Sequence, residues 1–325
     1  MSRPDYRTVI EFSCVSSEIV TEQSGTVEAM AHPILFDPAE TPYLVSFDDS
    51  FKIAKAPTKA PDELHDKHEN VHALDVAVAK LAKLQAKLYA DDRYSLLLIF
   101  QAMDAAGKDG TIRAVLSGVN PQGCQVYAFK QPSSEELDHD FMWRIQRSLP
   151  ERGRIGIFNR SHYEEVLAVR VNPGWLDAQK LPRRPKDLEE LWEERFESIT
   201  TAEKHWARNG VVVLKFFLNV SQKEQHKRFL DRITDPDDNW KFEPADMAES
   251  RKWDHYMDAY QAAMRATSKP WAPWYSIPAD SKSFMRRAVA ETVVATLEQL
   301  PLRYPVPPPK YKADMDTIRR ELEAE

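Results

Sequence analysis

The sequence has little cysteine and no long apolar run, and each shortage narrows the kinds of protein it can encode. Its 325 residues include only two cysteines, Cys14 and Cys124. Two cysteines so far apart give neither a disulfide framework nor a metal-binding spacing, so we expect a cytoplasmic protein. No apolar run is long enough to cross a membrane, and the charged start lacks a signal-peptide core, so we expect no membrane partner.

An excess of positive charge is also absent. Lysine and arginine number 44 against 51 aspartate and glutamate, which gives a net charge of -7. A protein that coats nucleic acid needs a broad basic surface, so we expect no nucleic-acid partner. An anionic ligand must instead meet basic residues gathered in one cleft. The hydrophobic share of 42% is enough for the core of one large α/β unit.

Three regions differ in composition. Residues 1–44 form a polar extension, predicted to be poorly ordered or to wrap the surface, with an over-called start codon as the alternative for its first part. Residues 45–305 form a single domain, and residues 306–325 form a charged C-terminal tail after a proline-rich stretch. Near the start of the domain, apolar residues at helical spacing predict a long amphipathic helix: Val71, Leu74, Val78, Leu81, Leu84 and Leu88.

Strands and capped helices alternate along the domain. Short apolar runs predict strands at 96–100, 124–129, 154–159, 211–218 and 271–280. The signals for helices are a helix pattern over 107–117, Ser-x-x-Glu capping boxes at Ser133 (opening a helix over 134–148), Ser161 and Ser221, and Pro185, which begins a helix that Gly210 ends. Such repetition predicts an α/β fold with a parallel sheet, whose ligands bind at the carboxyl ends of its strands.

The stretch from Leu96 to Thr111 has the order strand, small-residue turn, Gly-Lys, helix, which is typical of a phosphate-binding loop. Its backbone N–H groups and helix N-terminus would face an anion, and Lys108 would add a positive charge. The match is imperfect, because Ala102 stands where the motif has glycine and Asp109 where it has serine or threonine. By itself the motif favours a phosphate loop and a plain strand–turn–helix about equally.

Three side chains around this loop are candidates for chemistry. A carboxylate at Asp104 would repel phosphates unless a cation bridged them, which predicts a Mg²⁺ ligand or a base that orients the attacking group; a turn-forming aspartate is the alternative. Lys108 is predicted to contact phosphate rather than solvent. Arg160 follows a buried strand, where its guanidinium could bind phosphoryl oxygens and offset their charge, with an ordinary surface arginine as the alternative. Its neighbour Asn159 stands where nucleotide kinases often have an acidic metal-binding residue.

Two further arginines belong to a charged helical hairpin over about 221–265. Arg228 and Arg232 precede the segment 235–242, which joins two helices. Nucleotide kinases with a hairpin in this place use it as a cationic lid that closes and excludes water. A solvated charged face explains the same pattern equally well.

Several long motifs together resemble the polyphosphate kinase 2 family, and within it the class III members. They are FQAMDAAGKDGTIR (100–113), SGVNPQG (117–123), ELDHDFMWR (136–144), GRIGIFNRSHYEEVLAVRV (153–171), LKFFLNVSQKEQ (214–225), RITDPDDNWKF (232–242) and TSKPWAPWYSIPAD (267–280). The resemblance covers roughly residues 45–305. The class III members share the departures at Ala102 and Asp109. The residues Asn159 and Glu164 are also typical of class III.

This resemblance implies a P-loop kinase-like three-layer α/β/α fold with a helical lid, similar to thymidylate kinase. It implies reversible transfer of the terminal phosphoryl group of inorganic polyphosphate to AMP and ADP, giving ADP and ATP, with Mg²⁺ (Mn²⁺ as its alternative) and a homodimer or homotetramer. The implied catalytic residues are Asp104, which also binds the metal, Lys108 and Arg160. The implied binding residues are Ala105, Ala106, Gly107, Lys108, Asp109, Gly110, Thr111, Arg113, Arg228 and Arg232 for polyphosphate, and Asn159, Arg160 and Glu164 for the nucleotide.

Two other functions remain open from the sequence. An ATP-dependent nucleoside monophosphate kinase would use the same fold with a different donor. A catalytically silent polyphosphate-binding P-loop protein would bind without transfer, although the presence of Asp104, Lys108 and Arg160 weighs against it.

Overall fold

The computed structural model describes residues 35–324, and its centre is one five-stranded sheet. The strands are β1 (Ser95–Gln101), β2 (Cys124–Ala128), β3 (Ile155–Asn159), β4 (Val211–Asn219) and β5 (Trp274–Pro278). They lie in the order β2-β3-β1-β4-β5, and every neighbouring pair is parallel. The predicted parallel α/β sheet is confirmed.

Helices connect these strands and cover the sheet, except for the last helix of the chain, whose described side chains are exposed. They are α1 (Lys67–Asp91), α2 (Lys108–Val115), α3 (Ser134–Leu137), α4 (Trp143–Gln146), α5 (Ala168–Val171), α6 (Leu188–Arg208), α7 (Gln222–Thr234), α8 (Pro244–Ser250), α9 (Trp253–Thr267), α10 (Lys282–Gln299) and α11 (Pro309–Leu322). The helix predicted from apolar spacing is α1, which packs along α10. Its Leu74, Leu81 and Leu88 are buried, whereas Val71 at its start is exposed.

The central position of β1 brings the functional loops together. All seven residues of β1 are buried, because the sheet is covered on both faces there. Phe100 near its end pairs with Asn159 of β3 on one side and with Phe216 of β4 on the other. The segments that follow β1 and β3 therefore leave the same edge of the sheet side by side.

Two predicted helices have different bounds in the structure. The helix predicted over 134–148 is interrupted, and the structure has α3 and α4 in its place. Between them the Asp140 carboxylate accepts a hydrogen bond from Met142 N at 2.9 Å, a local bond that competes with a continuous helix. The helix predicted from Pro185 begins only at Leu188, where the Asp187 side chain accepts from Glu189 N. It ends at Arg208, and Gly210 follows with a φ of 94°, close against the Arg93 carbonyl.

The three predicted capping boxes turn out differently. The box at Ser133 is complete, since the Glu136 carboxylate accepts from Ser133 N. At Ser221 only the serine half forms, and at Ser161 the hydroxyl accepts from Tyr163 N instead of Glu164 N. The glutamates that would complete them are used elsewhere: Glu164 lies toward the cleft described below, and Glu224 accepts a bond from an arginine on α7.

The two ends of the chain lie outside the sheet. The predicted extension falls largely on residues 1–34, which are outside the described residues. Residues 35–61 have little regular structure, and residue Val45 within them is buried against β5. The C-terminal stretch predicted as a tail contains α11.

No helix in the described part of the chain combines the length and apolar character that crossing a membrane requires.

Candidate functional site

The phosphate loop, defined as residues 102–111, turns sharply between β1 and α2. Its two left-handed residues are Ala105, with φ 60°, and Gly107, with φ 105°. A non-glycine residue in this region is strained by about 1–2 kcal/mol, and such strain often lies at functional sites. Ala102 directly follows the buried strand and lies outside this strained segment. Glycine is therefore not required where the common motif has it.

Lys108 lies at the centre of the loop. Its Nζ donates to the carbonyl oxygens of Ala102 at 2.8 Å and Met103 at 3.3 Å. Burial lowers the pKa of this ammonium, while the nearby Asp104 carboxylate opposes the shift. An ammonium has three N–H donors, so one remains for a phosphate oxygen.

Arg228 on α7 supports the phosphate loop through hydrogen bonds to its backbone. Its Nη1 donates to the Ala106 carbonyl at 2.7 Å, its Nη2 to the Ala279 carbonyl at 2.7 Å, and its Nε to Glu224 at 2.9 Å. The side chain is only 4% exposed. The structure thus gives this predicted polyphosphate ligand a supporting contact with the loop backbone. Thr111, also predicted to bind polyphosphate, is buried, and its hydroxyl donates to Gly107 O at 2.9 Å.

A group of cations, here called the basic patch, lies beside the start of α2. It consists of Arg113, which is exposed, and Lys282 and Arg286 on α10. Burial, followed by the charges of Arg113 and Arg228, lowers the pKa of Arg286. Among the described residues, Arg286 Nε is buried without a hydrogen-bond partner. A cationic group crowded by other cations and lacking an acceptor is suited to an anion.

Asp104 and Arg160 form the contact between the two loops at the sheet edge. Arg160 Nη2 donates to Asp104 Oδ1 at 2.6 Å, and both side chains are partly exposed. Arg160 has a φ of 63°, a second strained non-glycine residue beside the phosphate loop. The Glu164 carboxylate is the main cause that raises the pKa of the Arg160 guanidinium, so this residue stays charged.

Glu164 and Asn159 complete the edge on the β3 side. Gln101, with its amide nitrogen turned toward the carboxylate, donates to Glu164 Oε1 at 2.9 Å. Burial raises the pKa of Glu164, and Arg160 opposes that shift. Asn159 Nδ2 donates to Asp109 Oδ1 at 2.7 Å. Asn159 and Asp109, which both depart from familiar nucleotide-kinase patterns, therefore contact each other.

A cleft of about 380 Å³ opens from Asp104 and Arg160. Its walls combine carboxylates with large apolar and aromatic side chains, among them Glu164, Phe129, Leu167, Trp175, Glu249, Tyr256 and Tyr260. The volume falls in the range of small-molecule sites, and a few polar groups on apolar walls are typical of them. A second cavity of about 370 Å³ adjoins it through Pro132, Leu137 and Arg144.

Helix α8 of the predicted lid is linked to the phosphate loop through α7. Buried Ser250 donates from Oγ to Gln225 Oε1 at 2.7 Å, and Gln225 Nε2 donates to the Asp104 carbonyl at 3.0 Å. On α8, Asp246 Oδ2 lies 3.7 Å from Nη1 of Arg232 on α7. Burial, followed by the charge of Asp104, raises the pKa of Asp246 to about 6.

The residues fit a magnesium ion that is shared with a substrate. In residues 35–324 no three His, Cys, Asp or Glu side chains gather as a metal cage. Mg²⁺ commonly binds through one or two carboxylates together with substrate phosphates and water. Asp104, partly exposed between the phosphate loop and the cleft, is the carboxylate placed for this role.

Some site residues had no role in the sequence interpretation. Gln101 is a polar end to an apolar strand, which is a usable signal for a residue at the carboxyl edge. Gln225, Asp246 and Arg286 had no such signal, because each reaches the site from a helix distant in sequence.

Comparisons with known proteins show the family to which the chain belongs. The family model described as Polyphosphate kinase 2 matches residues 64–303, more than half of the chain. The chain is 48% identical over 281 residues to ADP-polyphosphate phosphotransferase of Rhodopseudomonas palustris, covering 86% of this chain and 97% of that one. It is 42% identical over 243 residues to AMP/ADP-polyphosphate phosphotransferase of Meiothermus ruber, covering 74% and 86%.

A solved structure shares the fold. The crystal structure of Polyphosphate Kinase 2 from Arthrobacter aurescens TC1 superposes with a TM-score of 0.78 at 36% identity, covering 89% of this chain and 98% of that one. In this chain the fold consists of the parallel sheet, with the loop of Lys108 and the facing Arg160 at its edge. The chain belongs to the polyphosphate kinase 2 family and has its P-loop kinase fold.

Proposed function

We propose that this protein transfers the terminal phosphoryl group of inorganic polyphosphate to AMP and ADP, giving ADP and ATP, in a reversible reaction. The observation that carries the proposal is the Asp104–Arg160 contact, which joins the phosphate loop to the cleft. The names of the relatives from R. palustris and M. ruber supply the substrate class. The use of both AMP and ADP, expected from the class III residues Asn159 and Glu164, is part of the proposal.

Polyphosphate is assigned to the loop side. Its terminal phosphates would accept bonds from the first N–H groups of α2, which have no acceptors within the helix, and from Lys108. The rest of the chain would continue over the basic patch, where Arg286 Nε lacks an acceptor. Arg228 would hold the loop in shape rather than bind the polyanion.

The nucleotide is assigned to the cleft. Its terminal phosphate would lie at Arg160 and Asp104, and its nucleoside along the aromatic wall that includes Tyr256 and Trp175. An oxygen of this phosphate attacks the terminal phosphorus, the bond to the bridging oxygen breaks, and polyphosphate leaves one phosphate shorter. Arg160 and Lys108 offset charge on the transferred group, as positioning and electrostatics do in phosphoryl transfer generally. Mg²⁺ held by Asp104 would neutralise phosphate charge in both substrates.

The direct test is incubation of the purified protein with polyphosphate, Mg²⁺ and AMP while ADP and ATP are followed over time. We expect ADP first and then ATP. ADP alone would restrict the acceptor to AMP. Activity with ATP as donor and none with polyphosphate would support the nucleoside monophosphate kinase instead, and binding without transfer would support the silent protein. The cytoplasmic location stays a prediction.

A further inference from the structure

Helix α11 is an exposed amphipathic helix at the end of the chain. Every described side chain from Arg303 to Ala324 is exposed. Within α11 itself, four exposed side chains are large and apolar, with exposed fractions of 52–66%: Tyr311, Met315, Ile318 and Leu322. The helix lies beyond the family match, which ends at residue 303, and follows a proline-rich spacer of the kind that is extended and semi-rigid.

The apolar residues of α11 follow a coiled-coil repeat. Their spacings of four, three and four place Tyr311 and Ile318 at heptad position d and Met315 and Leu322 at position a. Such a seam is used by helices that pack against other helices of the same repeat.

The charges beside the seam select the orientation of the partner. Positions e carry Lys312 and Arg319, and positions g carry Asp314 and Glu321. In a parallel pair of identical helices, a g residue faces the e residue five positions later in its partner, so Asp314 meets Arg319. In an antiparallel pair, g faces g and e faces e, so like charges would meet. In the single chain Arg319 binds Glu323 at 2.8 Å, but both side chains are largely exposed and the bond is easily exchanged.

We propose that α11 is a self-association surface, whose partner is α11 of a second copy of this chain, packed parallel and in register. The 14-residue helix is too short to form a stable isolated coiled coil, so the contact operates in the full-length protein. It stands independently of the proposed activity, because α11 holds no residue of the loop or the cleft.

Disulfide trapping in the full-length chain tests this directly. With Cys14 and Cys124 replaced by alanine, Ile318→Cys places a thiol in the seam, and Arg320→Cys places one at position f on the opposite side. Under mild oxidation we expect Ile318→Cys to form covalent dimers at least about tenfold faster than Arg320→Cys, because only the seam brings equivalent residues together. Adding Met315→Asp should abolish this advantage. Asp314→Arg should slow trapping, and Asp314→Arg with Arg319→Asp should restore it.

Equal trapping rates for the two cysteine variants would overturn the proposal. Trapping at 318 that begins only when residues 1–34 are deleted would overturn it as well, since it would mean that this segment of the same chain covers the seam. Phosphoryl-transfer activity should be the same in Ile318→Cys, Arg320→Cys and the parent, whatever the outcome for assembly.

Discussion

The phosphate loop and the cleft meet at Asp104, but they balance their charges in opposite ways. On the loop side, Lys108 and Arg228 bond to backbone carbonyls, so the protein itself holds the loop in shape. On the cleft side, Asp104 and Glu164 share one guanidinium, that of Arg160. An anionic substrate can meet the loop side as it stands. On the cleft side it meets carboxylates, and the proposed reaction would use Mg²⁺ to offset their charge.

The largest expected effect is that of Lys108→Ala. This change removes the only loop ammonium and should lower kcat by about a thousandfold, the size seen when a group that stabilises transition-state charge is lost. Lys80→Ala is the matched control, since Lys80 lies on the exposed face of α1 and its Nζ is 3.8 Å from the Glu298 carboxylate. ATP formation from polyphosphate and ADP is the measurement. Near-normal turnover in folded Lys108→Ala would remove this residue from the reaction.

Asp104→Asn should come next, with a loss of about a hundredfold and a higher Mg²⁺ concentration for half-maximal rate. Asp109→Asn tests the specificity of that effect, because Asp109 lies in the same loop but its carboxylate is bonded to Asn159. Its Mg²⁺ dependence should stay close to that of the parent. If both variants shift the Mg²⁺ requirement equally, the metal does not distinguish the two carboxylates.

Arg228 and Arg232 lie on one helix, but Arg228 is buried against the loop backbone and Arg232 is partly exposed. Arg228→Met should lower the free energy of unfolding by about 3 kcal/mol, because several backbone carbonyls and Glu224 lose their buried donor. Arg232→Ala should change stability by less than about 0.5 kcal/mol and raise KM for polyphosphate. Urea unfolding and steady-state kinetics separate the two effects. Unchanged stability in Arg228→Met would contradict the bracing role.

The smallest effect concerns the pH dependence of stability. The pKa of Asp246 is about 6 in the folded protein against a usual 3.8, so the folded state binds its proton more tightly than the unfolded state. This residue therefore makes stability fall as pH rises from about 4 to about 6. Asp246→Asn should remove that part of the slope, amounting to about 1 kcal/mol after solvent screening. Asp62→Asn, at a fully exposed carboxylate, serves as the control. A profile for Asp246→Asn that keeps the parent's slope would contradict this origin.

Apolar runs and helix signals were sufficient to predict the parallel sheet. Parallel strands end at the same edge of a sheet, so the sequence also predicted that Asp104, Lys108 and Arg160 would lie near each other. The structure places them together. Neither the support from Arg228 nor the link through Gln225 could be foreseen. Both depend on how α7 packs against a loop more than a hundred residues earlier.

Local rules failed where a side chain had two uses. Glu164 has the spacing of a capping box, but its carboxylate faces Gln101 and the cleft. Asp109 and Asn159 were considered as separate departures from a motif. The Asp109 carboxylate lies on the loop and the Asn159 amide lies at the end of β3, and a hydrogen bond joins them. This contact depends on the pairing of β1 with β3.

The most direct test of phosphoryl transfer at this junction is the initial rate of ATP formation from polyphosphate and ADP over a range of Mg²⁺ concentrations. The parent protein should form no ATP with the metal chelated and should show a saturable dependence on Mg²⁺. A higher Mg²⁺ concentration for half-maximal rate in Asp104→Asn would link the metal to the carboxylate between the loop and the cleft. ATP formation by the parent at full rate in the presence of a chelator would contradict the account.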